Sequence, residues 1–234
     1  TADDWEKEVR AHRPDIIVHT AWQIRELYGA QDMEWDWNVR GSEKVFAYAF
    51  AEPEVERLIH FSTVASYGAY PGNSPEHLFV ESEPFRKMDY LYAEEKREVE
   101  ERLRAAYDKA AHKPMVAVLR PAAVTGPRGR YMRIRFGLQS ALAGQLKGGI
   151  YSLVSALVAF VPVTPNWLRQ FVHEDDVVNI VERLAFGEKL ASGYEAFNLC
   201  PAGPSVRGAD MAKAVGKRVL PVSPWMVRLA FFVF

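Results

Sequence analysis

Short apolar runs alternate with longer amphipathic segments along this chain. The runs that suit buried strands cover residues 15–20, 57–63, 115–120 and 197–199. Between them, residues 31–51 and 90–112 carry apolar side chains at helical spacing. A parallel pair of strands needs a crossover connection, so strands that alternate with helices are typical of a parallel sheet covered by helices. The pattern therefore predicts an α/β fold.

The pattern after Pro127 predicts a second, less regular part. We predict a helix over 131–147, a short strand over 169–172, a helix that begins at Glu174, Asp175 and Asp176, and a helix over 206–217 with Ser205 as its N-cap. His173 beside those acids resembles a metal cluster. Adjacent ligands rarely converge on one ion, however, so we favour a helix start and predict no metal site.

Composition narrows the classes of function. The chain has 234 residues and a formal net charge of −1, which argues against a nucleic acid as the main partner. Its single cysteine, Cys200, excludes an internal disulfide framework and suits a reducing compartment, and we expect a cytoplasmic protein.

Two segments are unusually apolar. Residues 150–163 carry no charge, and residues 219–234 carry only Arg228. Each is shorter than a membrane span of about 20 residues. Buried helices in a smaller lobe are one interpretation. The alternative is a hydrophobic substrate channel or an interfacial anchor, which implies peripheral membrane contact.

Candidate chemistry lies at Tyr92 and Lys96, which are four residues apart in a predicted helix. At that spacing both side chains project from one helix face, where an ammonium can lower the pKa of a phenol. Thr63, at the end of the predicted strand 57–63, supplies a hydroxyl that can orient a substrate oxygen against Tyr92. Tyr92 would then move a proton and Lys96 would tune it. The alternative is a solvated helix face with an ordinary pair of side chains.

Five segments in order resemble the extended short-chain dehydrogenase/reductase family, the NAD-dependent epimerase/dehydratase group. They are Asp15–Ala21, Asn38–Ser42, Arg57–Gly68, Val116–Pro127 and Arg169–Val177. The stretch Tyr92–Lys96 lies between the third and the fourth of them and belongs to the same resemblance. The resemblance covers about residues 14–217. It implies a Rossmann-like, doubly wound parallel sheet in residues 1–127 and a smaller substrate-binding lobe with returning elements in residues 128–234. It also implies NAD or NADP as cofactor and Thr63, Tyr92 and Lys96 as catalytic residues.

The resemblance assigns further site residues. Cofactor contacts are implied for Thr20, Ala21, Trp22, Asn38, Tyr92, Lys96, Pro121, Ala122 and Val124, and substrate contacts for Ala123 and Arg169. Trp22 stands where the family usually has a small residue. Asn38 would fix backbone near the nicotinamide ribose, or it is an ordinary N-cap. Arg169 would bind a substrate diphosphate, or it forms an ion pair with the acidic helix start.

The family's opening glycine motif, which binds the cofactor pyrophosphate, does not precede residue 14. We therefore expect that the first strands of the sheet are missing, that the chain ends inside an apolar run, and that this piece alone is not a competent enzyme. The residue that separates NAD from NADP belongs to the missing part.

Two classes of function follow from the resemblance. The first is an NAD(P)-dependent oxidoreductase or epimerase that acts on a hydroxyl or ketone of a nucleotide sugar or of a more lipophilic alcohol. The second is a non-catalytic, cofactor-binding structural or regulatory subunit. The intact Thr63, Tyr92 and Lys96 favour the enzyme. The resemblance also implies that the helices at 31–51 and 90–112 pair across a two-fold axis with those of a second copy. The first carries Val45, Phe46, Tyr48 and Phe50, more apolar surface than one sheet contact needs, so we expect a homodimer.

Overall fold

The structure is a computed structural model that describes residues 4–24, 26–70, 72–128, 160–164, 167–214, 216, 218–223 and 225–226. The chain divides into two compact units. The first comprises residues 1–124 and 172–200, and the second comprises residues 125–171 and 201–234. Residues 172–200 thus return to the first unit after the chain has entered the second.

The elements follow the predicted alternation. The helices are α1 (Asp4–His12), α2 (Gln31–Trp35), α3 (Gly41–Ala51), α4 (Leu91–Lys109), α5 (Glu174–Phe186) and α6 (Gly208–Ala214). The strands are β1 (Ile16–His19), β2 (Arg57–Phe61), β3 (Met115–Pro121), β4 (Ala123–Thr125), β5 (Phe160–Val163), β6 (Leu168–Arg169), β7 (Phe171–His173), β8 (Tyr194–Leu199), β9 (Val206–Arg207) and β10 (Arg218–Pro221). The strands predicted at 15–20, 57–63, 115–120 and 197–199 and the helices at 31–51 and 90–112 are confirmed. Helix α1 was not predicted.

The first unit is built on a four-stranded parallel sheet in the order β1-β2-β3-β8. Strand β3 is central, and its residues from Met115 to Arg120 are all buried. A strand covered on both faces is apolar at nearly every position, which explains the continuous run that predicted it. The predicted α/β fold with a Rossmann-like parallel sheet is confirmed.

Helices cover both faces of this sheet, as a doubly wound fold requires. Side chains alternate along each strand, so Val116 and Val118 join a core with α3 and α4, whereas Ala117 and Leu119 join a second core with α5. On β2, Arg57 donates hydrogen bonds to the carbonyls of Leu184 and Gly187 at the end of α5, both at 2.7 Å. These bonds satisfy carbonyl groups that a helix end leaves without partners.

The helix start predicted at Glu174, Asp175 and Asp176 is confirmed. His173 is the N-cap of α5, and its Nδ1 accepts a hydrogen bond from the backbone N–H of Asp175 at 3.2 Å. The three acids fill the first turn, where the exposed N–H groups of the helix favour negative charge.

Short elements make up the described part of the second unit. Strands β5 and β10 pair in parallel, and β6 and β9 pair antiparallel. The helix predicted over 206–217 is present at Gly208–Ala214, but its predicted start and the N-cap at Ser205 are wrong because residues 206–207 form β9. A Cβ at Gly208 would lie 2.5 Å from the side chain of Val163, so this close approach needs glycine. The helix predicted over 131–147 lies outside the described residues.

Each of the two apolar runs contains a strand among its described residues. Residues 160–163 and 218–221 form the parallel pair β5 and β10, so the interpretation of these parts as buried helix is wrong. Short apolar runs do not distinguish a buried strand from a buried helix, which explains the error. Among the described residues, no helix combines the length and the apolar character that crossing a membrane requires.

The apolar side chains of α3 pack against other residues of the same chain. Phe46 and Tyr48 are buried in the core beneath α3 and α4, and Val45 and Phe50 are half-buried. Arg102 of α4 also donates to Glu43 of α3 at 2.8 Å, so the two helices are joined to each other. The homodimer was predicted from a surplus of apolar surface on this helix. Phe46 and Tyr48 do not contribute to that surplus, because they are buried within the chain. The homodimer stays a prediction.

Candidate active site

The predicted catalytic residues converge at the carboxyl ends of β1 and β2. Trp22 follows β1, Thr63 follows β2, and Tyr92 and Lys96 lie in the first two turns of α4. The carboxyl ends of parallel strands share one edge of a sheet, where open α/β sheets bind their ligands. The sequence placed these groups on separate elements, and the structure brings them together.

Thr63 has a fixed orientation. It is the N-cap of a 3₁₀ turn over Val64–Tyr67, and its Oγ1 accepts a hydrogen bond from the backbone N–H of Ala65 at 3.2 Å. Its hydroxyl also lies close enough to the phenol of Tyr92 to lower the pKa of that group. The turn closes at Gly68, whose φ of +86° suits a residue without a Cβ. The strand end thus presents one buried hydroxyl to the phenol.

Tyr92 is a weaker acid in this site than the sequence suggested. Burial raises its pKa above the ordinary value of 10.0, the neighbouring Thr63 hydroxyl lowers it, and the nearby Tyr90 raises it. The expectation that Lys96 lowers the pKa of this phenol is therefore not met. The Lys96 amine instead donates to the backbone carbonyl of Phe61 at 2.6 Å.

Lys96 is a buried amine that lies over an aromatic ring. Its Nζ is 3.6 Å from the centre of the Trp22 ring, and the Tyr92 ring meets the same indole edge-on with centres 6.3 Å apart. Burial lowers the pKa of Lys96 from 10.5 to about 7, while the charges of Glu100 and Glu95 raise it. The amine therefore changes its charge near neutral pH.

Asn38 secures the backbone that follows β1. Its Oδ1 accepts from the N–H of Gln23 at 2.7 Å, and its Nδ2 donates to the carbonyl of Gln23 at 3.0 Å. The same Nδ2 donates to Glu95 Oε2 at 2.7 Å, one residue before Lys96. Asn38 lies inside a π-helical turn over Asp36–Arg40, so the alternative of an ordinary N-cap is wrong. Such turns often occur at functional sites.

The other predicted site residues differ in burial and in the contacts they make. Thr20 and Ala21 are exposed after β1, Ala122 is buried and donates its N–H to the carbonyl of Leu199 at 3.0 Å, and Val124 is exposed on β4. Pro121 and Ala123 are half-buried at the carboxyl end of β3 and the start of β4. Arg169 belongs to the second unit, where its guanidinium lies 5.6 Å from the centre of the Phe171 ring. Their roles toward cofactor or substrate stay predictions.

Sequence reasoning missed two sets of buried polar groups. Glu95 is fully buried beside Asn38, and burial raises its pKa. Glu100, farther along α4, is buried and paired with Arg120. One signal was available: Lys96, Glu100 and Leu103 recur at helical spacing on the face of α4 that also carries Val99, and all of them are buried.

Two stacked histidines lie beneath Lys96. His19 at the end of β1 and His60 in β2 face each other with Nδ1 atoms 3.0 Å apart and rings nearly parallel. Burial lowers the pKa of His19 to about 4, and the charge of Lys96 lowers it further. The same two causes, burial first, place the pKa of His60 well below its ordinary value. Both rings are therefore neutral at pH 7, one accepting and one donating.

We expect this pair to make the fold sensitive to acid. The unfolded chain binds protons at histidine below pH about 6.5, whereas folded His19 does so only near 4, so stability is present above pH 6.5 and is lost as the pH falls toward 4. The slope is on the order of 1.4 kcal/mol per pH unit for one such histidine. Denaturant unfolding of His19→Asn across this range should give a shallower slope than the unsubstituted protein.

His77 provides the matched control for this experiment. Its ring is exposed and paired with Glu83, so His77→Gln should leave the acid slope in place. An unchanged slope in His19→Asn would contradict the assignment of the neutral pair.

Comparison with known proteins supports the resemblance. The sequence profile of the NAD dependent epimerase/dehydratase family matches residues 1–200. The chain is 29% identical over 185 residues to the N-acetyl-α-D-glucosaminyl-diphospho-ditrans,octacis-undecaprenol 4-epimerase of Escherichia coli O157:H7. That match covers 79% of this chain and 49% of the relative, so the chain spans about half the length of this curated relative.

Solved structures share the fold. The Bordetella bronchiseptica enzyme WbmG, in complex with NAD and UDP, is 23% identical with a TM-score of 0.66, over 95% of this chain and 63% of that chain. The UDP-glucose 4-epimerase of Thermus thermophilus, in complex with NAD, is 22% identical with a TM-score of 0.64, over 96% of this chain and 70% of that chain. Identities this low show the fold alone. Because the family profile matches most of the chain, this protein belongs to the NAD dependent epimerase/dehydratase family.

Proposed function

We propose that the protein is part of an NAD-dependent epimerase that inverts a hydroxyl-bearing carbon of a sugar held through a diphosphate. The observation that carries this proposal is the convergence of the Thr63 hydroxyl, the Tyr92 phenol and the buried amine of Lys96 at the carboxyl ends of β1 and β2. Hydroxyl, phenol and amine in one site can bind, orient and deprotonate a carbinol.

The polar groups of the site suit the nicotinamide end of NAD. Ser62 Oγ and Trp22 Nε1 are buried and have no hydrogen-bond partner among the described residues, so each can bond to a polar ligand at this edge. The Lys96 ammonium is a donor suited to ribose hydroxyls. When bound, NAD supplies an acceptor that takes the hydride from the sugar carbon and later returns it.

Side chains of the protein transfer the proton of the sugar hydroxyl. Thr63 and Tyr92 bind the sugar hydroxyl, and Tyr92 takes its proton as the carbon loses its hydride, which leaves a ketone. After the sugar has turned its other face, Tyr92 returns the proton to the oxygen as the hydride comes back. No atom is gained or lost overall, and only the configuration of one carbon changes. Burial raises the pKa of Tyr92, and the contact with the Thr63 hydroxyl lowers it, so Thr63 assists the step that forms the phenolate.

The substrate class rests on the relatives. The E. coli relative is named for a sugar joined by a diphosphate to undecaprenol, and the two solved structures are named for UDP or a UDP sugar. A sugar with a diphosphate at its anomeric carbon is common to the polyprenol-linked sugar and to a UDP sugar. The test therefore includes both carriers: a nucleotide and a polyprenol.

The experiment incubates the full-length protein and NAD with UDP-N-acetylglucosamine or with polyprenyl-diphosphate-linked N-acetylglucosamine. A product of unchanged mass and inverted configuration, seen by mass spectrometry and NMR, is the expected result with at least one carrier. Loss of one water would indicate a dehydratase instead. Calorimetric binding of NAD without turnover of either substrate would favour a non-catalytic cofactor-binding subunit.

A further inference from the structure

We propose that Trp22 is a positioning residue of this site: its indole face, which the Tyr92 ring also contacts, holds the side chain of Lys96 and keeps the amine protonated. The importance of the protonated amine for catalysis rests on the proposed function. The contact between ring and amine does not, and it can be measured separately.

The geometry is that of a close cation–π contact. Lys96 Nζ lies 3.6 Å from the centre of the Trp22 ring, well inside the roughly 6 Å within which such contacts are attractive. The Tyr92 ring approaches the same indole edge-on, at 86° between the planes. Trp22 therefore contacts both Lys96 and Tyr92.

The indole ring of Trp22 also attracts the Lys96 ammonium, which the surrounding groups do not stabilise fully. Lys96 is buried, and within the described part of the chain no carboxylate lies at ion-pair distance from its amine. The amine donates its hydrogen bond to the neutral carbonyl of Phe61. A buried ammonium with a neutral acceptor is poorly stabilised, and the negative face of an indole supplies the missing attraction.

Other charged or titratable groups face the amine from each element packed around it. They are His19 on β1, His60 on β2, and Glu95 and Glu100 on α4. The two histidines are neutral at pH 7 and so do not repel it there. Glu100 is paired with Arg120, and burial raises the pKa of Glu95, so neither carboxylate is a full counter-charge for Lys96.

The indole N–H does not hold the ring in place. Trp22 Nε1 is buried and has no hydrogen-bond partner among the described residues, although an indole N–H usually finds one when buried. The ring orientation is instead set by what its face and edge contact, which are Lys96 and Tyr92 together with the core beneath α3.

The test separates the electrostatic role of the ring from its shape. The Lys96 Cε resonance in lysine-labelled protein, assigned by its loss in Lys96→Met, is titrated by NMR in the unsubstituted protein, in Trp22→Leu and in Trp22→Phe. Trp22→Leu should move the midpoint to lower pH by about half to one unit, because the attraction of the ring for the charged form is lost. Trp22→Phe keeps an aromatic face and should shift it less.

Two further samples keep the result decisive. Uniform fluorinated tryptophan weakens the negative face of the indole while preserving its shape, so it should lower the midpoint even if Trp22→Leu fails to fold. Trp37→Leu, which removes an exposed tryptophan, should leave the midpoint unchanged. The proposal is overturned if the fluorinated protein and either Trp22 variant have the same Lys96 titration midpoint as the unsubstituted protein. Trp22 would then not hold the ammonium. An active enzyme with that outcome would leave the proposed epimerase intact.

Discussion

Replacing Tyr92 with phenylalanine is expected to reduce kcat on a diphosphate-linked sugar by about 100-fold or more, the usual cost of losing a general acid/base group. The phenol is the group that exchanges a proton with the substrate, and its ring contacts with Trp22 and Tyr90 are kept in phenylalanine. The fold and NAD binding should therefore be retained. Steady-state turnover and calorimetric NAD titration measure the two quantities independently.

Tyr28 is the matched control, since its side chain is 87% exposed on the loop after β1. Tyr28→Phe should turn over substrate as the unsubstituted protein does. Near-normal kcat in Tyr92→Phe would show that another group carries the proton, and Tyr92 would then have only a packing role.

Replacing Arg120 with leucine is expected to destabilise the fold by about 3–5 kcal/mol, because it leaves the charge of Glu100 buried without its partner. The guanidinium of Arg120 donates to Glu100 through Nε at 3.0 Å and also through Nη2, and its Nη1 donates to Tyr67 Oη. The side chains of Arg120 and Glu100 are only 7% and 6% exposed. The pair joins β3 to α4, the helix that carries Tyr92 and Lys96.

Denaturant unfolding of single and double variants tests this explanation. Arg120→Leu combined with Glu100→Leu removes both charges and should be less destabilised than Arg120→Leu alone. Arg40→Leu breaks an exposed ion pair with Asp36 and should cost at most about 1 kcal/mol. A double variant as unstable as the sum of the two single variants would show that the buried charge is not the cause.

Much of the fold follows from local pattern. The strands β1, β2 and β3 and the helix α4 were predicted within a few residues, because a strand covered on both faces is apolar throughout and an amphipathic helix repeats every 3.6 residues. The single helix predicted over 31–51 covers α2, the π-helical turn and α3. Thr63, Tyr92 and Lys96 were also predicted, because their spacing and order are recognisable in the sequence. Where the pattern had no period, as in the apolar residues of β5 and β10, it predicted helix and was wrong.

The contacts that define the electrostatics of the site depend on the tertiary structure. Arg120 lies in β3 and Glu100 in α4, His19 lies in β1 and His60 in β2, and Asn38 reaches both Gln23 and Glu95. No local rule predicts such partners, because they meet only when the strands pair in register and the helices pack on the sheet. Burial in that packed state raises the pKa of Tyr92 and lowers that of Lys96, which the sequence could not indicate. The sequence by itself determined which chemical groups are present and in what order, and the tertiary structure decided how far each is removed from water, because desolvation depends on neighbours that are distant along the chain.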